Sequence, residues 1–261
     1  MIMNFVQQVA SVGSGVLVGF SLGMVGGGGS ILATPLMVYL IGVANPHVAI
    51  GTSAVVVAIN AAIGLTAHAR SRNVNWQFGL SFAAAGVMGS LTGSTLGKLI
   101  NGERLLILFA MLMIVVGLFM LEQRKAPTQP MVVMNVSTAS KLGGVGLSTG
   151  LLAGFFGIGG GFLVVPGLIG VTRMNIITAI GTSLIPVLAI SLTTALNYGA
   201  SGLIDWPLAF MFVTGGFVGS LLGAQAAKQL SQSRQRLNGI FVVLIFIIAS
   251  YMMINGINKI L

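Results

Sequence analysis

Two glycine-rich blocks constrain this chain more than any other feature. Residues Gly19 to Pro35 read GFSLGMVGGGGSILATP, and residues Gly150 to Pro166 read GLLAGFFGIGGGFLVVP, 131 positions later. Gly19, Gly23, Gly26, Gly28, Gly29 and Pro35 match Gly150, Gly154, Gly157, Gly159, Gly160 and Pro166. Glycine destabilises a helix interior by about 1 kcal/mol relative to alanine, so each run is expected to break a helix. The surroundings are apolar: 56% of residues are hydrophobic and 6% charged. Soluble domains carry about 25% charged residues, so this chain reads as a polytopic membrane protein. In a bilayer, broken backbone is tolerated only where it is buried in protein or lines a cavity. The two breaks are therefore expected to meet and form a substrate site.

After the first run, Ile31 to Val43 spans about 13 residues, roughly 20 Å as a helix. That is too short for a hydrocarbon core of about 30 Å, so a half-helix is expected. The remaining apolar segments are Phe5 to Val25, Val48 to Ala69, Trp76 to Ile100 and Leu105 to Leu121. A polar connection containing Pro127 and Pro130 follows. Leu142 to Val171 carries the second break, and Ile176 to Tyr198, Trp206 to Lys228 and Leu237 to Ile254 complete the chain. Three units result: a first repeat at 1–122, a linker at 123–140 and a second repeat at 141–261. The repeat continues beyond the glycine blocks at an offset of 130. Ala49-Ile50-Gly51-Thr52-Ser53 returns as Ala179-Ile180-Gly181-Thr182-Ser183, and Gly86, Gly89, Ser90 and Gly93 return as Gly216, Gly219, Ser220 and Gly223. Such repeats are common in secondary transporters.

Charge placement chooses between parallel and inverted halves. If each broken segment crosses once, the 12 Lys and Arg divide six against six. If each goes in and comes back, one side holds Arg70, Arg72, Arg124, Lys125, Lys141, Arg173, Lys228, Arg234 and Arg236, and the other holds only Lys98, Arg104 and Lys259. The positive-inside rule selects the second arrangement, with the linker cytoplasmic and both chain ends outside. The expected fold is an all-α polytopic integral membrane protein with two inverted-topology repeats. Each repeat has a Gly-broken hairpin, re-entrant or made of two short spans, plus three transmembrane helices. The same reading accounts for the net charge of +9 without nucleic acid. The start, MIMNFVQQV, lacks a basic n-region, so the first apolar segment is expected to be retained.

Half-helices beginning near Ser30 and Gly161 would aim their N-termini at one space. Free N–H groups and a partial positive charge there bind anions, and glycine leaves the amides uncovered. The candidate binding residues are Gly26, Gly28, Gly29 and Ser30 in the first break and Gly157, Gly159, Gly160 and Gly161 in the second. Thr52, Ser53, Thr182 and Ser183 join them, because hydroxyls donate to an anion without adding a buried charge. The competing readings are close helix packing for the glycines and bonds to the preceding turn for the hydroxyls. Asn60, His68, Asn197 and Tyr198 are candidates for a relay or gate. No enzyme, metal site or cofactor is expected. The acids Glu103, Glu122 and Asp205 fall in connections, there is no cysteine, and neither glycine run continues into the Lys-Ser/Thr of a phosphate loop.

The pairing of GMVGGGGSILATP with GFFGIGGGFLVVP, each followed by Ala-Ile-Gly-Thr-Ser, resembles the TauE/SafE family of sulfite exporters over about residues 12 to 255. The resemblance implies transport of sulfite, sulfoacetate or a related organosulfonate across the bacterial inner membrane. Gly27 departs from the pairing, since Ile158 occupies its place in the second half. Expected partners are a small anion, the lipid bilayer and, as an open alternative, a second copy of the chain. An anion channel and a non-transporting membrane subunit remain the competing functions.

Overall fold

The computed structural model describes residues 4–122, 132–229 and 234–260, and the regular structure in them is helical. Helix α1 covers Phe5–Val25. The first glycine block then forms a 3₁₀ turn, Gly26–Leu32, a short helix α2, Ala33–Pro35, and a π turn, Leu36–Leu40. Helices α3, Pro46–Arg70, α4, Trp76–Leu99, and α5, Gly102–Glu122, complete the first half. The second half comprises α6, Val136–Phe156, α7, Gly161–Thr172, α8, Ile176–Gly199, α9, Trp206–Gln229, and α10, Arg234–Ile260. Half of the expected 123–140 linker, residues 123–131, lies outside the described residues, and α6 begins within the other half at Val136.

Asparagines set the starts of several helices. The side chains of Asn45, Asn75, Asn135 and Asn175 accept from the N–H groups of His47, Phe78, Thr138 and Thr178. Each bond satisfies an amide that the first helical turn leaves free. Phe5–Met24, Pro46–Arg70, Ile176–Gly199 and Trp206–Ala226 are long and apolar enough to cross a membrane.

Helix packing exchanges partners between the halves. The principal neighbour of α1 is α9, that of α4 is α6, and α3 lies against α8 and α5 against α10. Glycine permits the closest approaches. A Cβ added at Gly19 would stand 2.7 Å from the Gly216 Cα, and one at Gly150 would stand 2.7 Å from the Gly86 Cα. These four glycines are repeat-equivalent, so one close crossing is built twice. Small residues at such crossings let backbones touch, which is how helices associate where lipid removes the hydrophobic drive.

The chain doubles back at both breaks. Gln7 near the start of α1 donates from Nε2 to the Ile41 carbonyl, 3.1 Å away, just after the π turn. The Val132 N–H, just before α6, donates to the Thr172 carbonyl at the end of α7 at 2.9 Å. The expected short helix after the first glycine run is present as Gly29–Leu40, too short to cross a membrane, but its winding is irregular. It is tightened through Leu32 and widened after Pro35, where the Ile41 N–H reaches back five residues to the Leu36 carbonyl at 3.1 Å. Four glycines disfavour a regular α-helix, and Pro35 lacks the N–H that would extend the first turns.

Candidate functional site

The second break is the better-defined one. Helix α6 stops at Gly157, which adopts the left-handed conformation, φ +66°. Its N–H donates to the Gly154 carbonyl, and that of Ile158 to Ala153, at 3.3 and 3.1 Å, which closes the C-terminus of α6. Gly159 and Gly160 are also left-handed, each with φ +66°. Three left-handed positions in four residues demand glycine, since a side chain at each costs about 1–2 kcal/mol. Helix α7 then starts at Gly161 behind Gly160, with no side-chain cap. The Gly160 carbonyl accepts from Leu163 and Val164 at 2.9 and 3.0 Å, so Gly161 and Phe162 are the residues whose N–H groups the first turn leaves without an intrahelical acceptor.

The two breaks come together. The 3₁₀ turn Gly26–Leu32 packs against α7 and also touches α8. Ser53 of α3 stands at the junction. Its Oγ lies 2.9 Å from Thr34 Oγ1 in the first broken segment and 3.2 Å from the Gly157 carbonyl in the second. The same hydroxyl lies 2.9 Å from the Ile50 carbonyl, so it has several acceptors for its single proton. Gly29, Ser30, Ser53, Gly157, Gly159, Gly160 and Gly161 are all buried. Gly26 and Gly28 lie in the 3₁₀ turn that continues through Gly29.

Other expected residues sit elsewhere. Thr52 Oγ1 accepts the Asp205 N–H at 2.9 Å, and Thr182 Oγ1 accepts the Asn75 N–H at 2.9 Å. These hydroxyls tie down the loops that lead into α9 and α4, near opposite ends of the bundle. Ser183 donates to the Ile180 carbonyl at 2.7 Å in its own helix. His68 places Nε2 3.4 Å from the Gly23 carbonyl at the far end of α1. Asn197 and Tyr198 lie at the other end, beside Lys98. The Lys98 ammonium donates to the Asn197 carbonyl, Asn197 Oδ1 and Ser201 Oγ at 3.1, 2.8 and 2.9 Å. It also stands 5.8 Å above the Tyr198 ring, within range of a cation–π attraction.

Asn60 is in the middle of α3 and fully buried, and neither of its amide atoms has a hydrogen-bond partner. Sequence reasoning missed two residues, Thr34 and Ser191. Ser191 is a lone hydroxyl in the middle of apolar α8. It is fully buried, its Oγ has no partner, and a Cβ built on Gly159 would run into that oxygen. Thr34 precedes Pro35 within the first glycine block, and adjacency to the break was its only signal. The meeting point of the breaks offers backbone N–H groups and hydroxyls without a formal charge, groups that can donate to the oxygens of a compact anion.

The sequence pattern of the sulfite exporter TauE/SafE family matches residues 11–252. The chain belongs to this TauE/SafE family. A probable membrane transporter protein of Xylella fastidiosa is 48% identical over 250 residues, covering 95% of this chain and 96% of the relative. The probable membrane transporter protein YunE of Bacillus subtilis is 28% identical, covering 87% and 90%. A probable membrane transporter protein of Methanocaldococcus jannaschii is 25% identical, covering 85% and 88%. No solved structure matches the chain. Membership fits the two glycine blocks, which fall inside the matched span, and it makes this TauE/SafE protein a membrane transporter.

Proposed function

We propose that this protein is a secondary transporter that exports a small sulfur-containing anion, such as sulfite, sulfoacetate or a related organosulfonate, across the inner membrane by alternating access. The observation that carries the proposal is the buried meeting of the two glycine breaks at Ser53. A sulfonate or sulfite group presents several acceptor oxygens, which backbone N–H groups and hydroxyls satisfy without a fixed cation. A charged site would hold the anion more tightly and slow its release.

Inverted halves underlie the transport cycle. Helices α1 and α9 run side by side in one direction, since Gly15 lies against Phe212 and Gly23 against Ser220. Helices α4 and α6 do the same, with Gly89 against Leu147 and Gly97 against Phe155. Because the chain returns to Gln7 after the first break, α3 sets out from the side where α1 began. His68 near its end accordingly meets Gly23 near the end of α1. These directions are what an inverted repeat requires. Arg70, Arg72, Lys141 and Arg173 then share the end expected to be cytoplasmic. A cleft of about 450 Å³ lined by Thr138, Lys141 and Arg173 opens there, and its charge would gather anions. The opposite end is closed by Lys98 of the first half donating to Asn197 and Ser201 of the second. Export of a monovalent anion draws on the membrane potential, worth about 2.3 kcal/mol per charge at 100 mV.

Reconstitution tests the reading. Liposomes containing the purified protein and loaded with sulfite should release it at a saturable rate that rises when the interior is made negative. Release no faster than from protein-free liposomes, for sulfite and for sulfonates alike, would refute it. Flux that never saturates and shows no exchange would make the protein an anion channel.

A further inference from the structure

The internal repeat supplies a control for two buried polar side chains. Asn60 of α3 is matched at the offset of 130 by Ile190 of α8, and Ser191 of α8 is matched by Ala61 of α3. The packing is matched as well. A Cβ at Gly216 would meet the Asn60 carboxamide, and a Cβ at Gly86 would stand 2.8 Å from Ile190 Cδ1. The fold therefore fills this position with a plain hydrocarbon in one half. In the other half it places a carboxamide whose Nδ2 and Oδ1 both lack partners at 0% exposure. An unsatisfied buried polar group is costly, and packing does not require this one. Ser191 repeats the pattern, a hydroxyl without a partner where the other half has a methyl group.

Ser191 borders the second break directly, and Asn60, packed against Gly216 of α9, stands one helical turn beyond the residue of α3 that does so. Ser191 Oγ is aimed at Gly159. Val57 Cγ1 would stand 2.8 Å from a Cβ at the same glycine. Asn60 follows Val57 by three residues, on the same side of α3 and about 4.5 Å further along its axis. The neighbouring helix α7 begins without a side-chain cap. An amide N–H₂, a hydroxyl and uncovered backbone N–H groups all suit oxyanion oxygens. The Asn60 carbonyl does not, because it is an acceptor and repels an anion that offers only acceptors.

We propose that Asn60 and Ser191 line the anion position beside Gly159, and that the Asn60 carboxamide selects anions that themselves carry a hydrogen-bond donor. This deepens the reading of the protein as an exporter of sulfur-containing anions and rests on it. The favoured class is a monoanion with a donor group: singly protonated sulfite, or a sulfonate bearing a hydroxyl or ammonium group. Fully deprotonated anions without a donor bind less well. A site built to hydrogen-bond a substrate hydroxyl discriminates strongly against the analogue that lacks it.

Two probes isolate the donor at constant charge: 2-hydroxyethanesulfonate and ethanesulfonate. Binding to the purified full-length protein is measured by calorimetry for wild type, Asn60→Ile and Ser191→Ala. Both substitutions copy the residue the other half uses, so the fold accepts them. The wild type should prefer the hydroxylated probe by roughly tenfold, the worth of one neutral hydrogen bond. Asn60→Ile should bring the ratio close to one. Ser191→Ala should weaken both probes together and preserve the ratio. Equal binding of the two probes by wild type overturns this inference alone. So does a preference that survives in Asn60→Ile, which would make Asn60 a structural amide holding water. Failure of sulfite and both sulfonates to bind the folded wild type overturns the proposed function and this inference with it.

Discussion

Replacing Gly159 with alanine separates a binding break from a merely flexible one. Gly159 has φ +66°, and its added Cβ would meet Ser191 Oγ and stand 2.8 Å from Val57 Cγ1. The left-handed conformation costs about 1–2 kcal/mol for a residue with a Cβ. Crowding at the two contacts adds about 1–3 kcal/mol. Gly202 provides the matched control. Its φ is +69°, and a Cβ there meets nothing within 4 Å, so Gly202→Ala carries only the backbone cost. Unfolding of both variants in the same detergent micelles should leave Gly159→Ala less stable than Gly202→Ala by about 1–3 kcal/mol. Sulfite flux measured well below both unfolding midpoints should drop roughly tenfold or more in Gly159→Ala, the effect of losing one substrate hydrogen bond. Flux in Gly202→Ala should match wild type. The reasoning is refuted if the two variants unfold alike, or if folded Gly159→Ala transports at the wild-type rate.

Further consequences follow from the polar ties between the halves. Thr52→Val removes the acceptor for the Asp205 N–H and should cost about 1–2 kcal/mol in the same unfolding assay, whereas Thr52→Ser should retain most of the stability. Lys98→Met leaves Asn197 and Ser201 without their shared donor. Because the ammonium is partly exposed, the loss should be only about 1 kcal/mol, but reagents applied from the Asp205 side should label a cysteine at Ser53 faster in that background. Single cysteines introduced at Gln129 and Asp205 should react with impermeant thiol reagents from opposite sides of the membrane; reaction from one side would overturn the inverted arrangement.

Much of the fold was legible because glycine, asparagine and the repeat leave marks at fixed spacings. Trp76 and Ile176 begin helices where expected, each behind an asparagine whose side chain accepts from the first turn. The second break could be read as well, since α7 starts at Gly161. At the first break the short helix could be read but not its winding, because sequence shows that a glycine run interrupts an α-helix, not which helical form follows. With Pro35 close behind, the short helix Gly29–Leu40 winds as 3₁₀ through Leu32 and as π from Leu36. In the site, the Gly-Thr-Ser triplets looked uniform in sequence, yet their members part company in space. Ser53 reaches both breaks, whereas Thr52 and Thr182 hold loops. Neighbours 153 and 107 positions away decide that, and no local pattern encodes them. Ser191 was invisible for the opposite reason. One hydroxyl in an apolar helix is unremarkable until its burial, its missing partner and its place beside Gly159 are seen together.

If the two glycine breaks jointly hold the transported anion, a heavy analogue of that anion should be found between them. Selenite resembles sulfite and carries a strong anomalous scatterer, so crystals of the protein grown with it test the claim most directly. A selenium peak is expected beside Gly159 and Ser191, in the space between the 3₁₀ turn and the start of α7. Selenium found only in the basic cleft at Lys141 and Arg173, with none between the breaks, would contradict it.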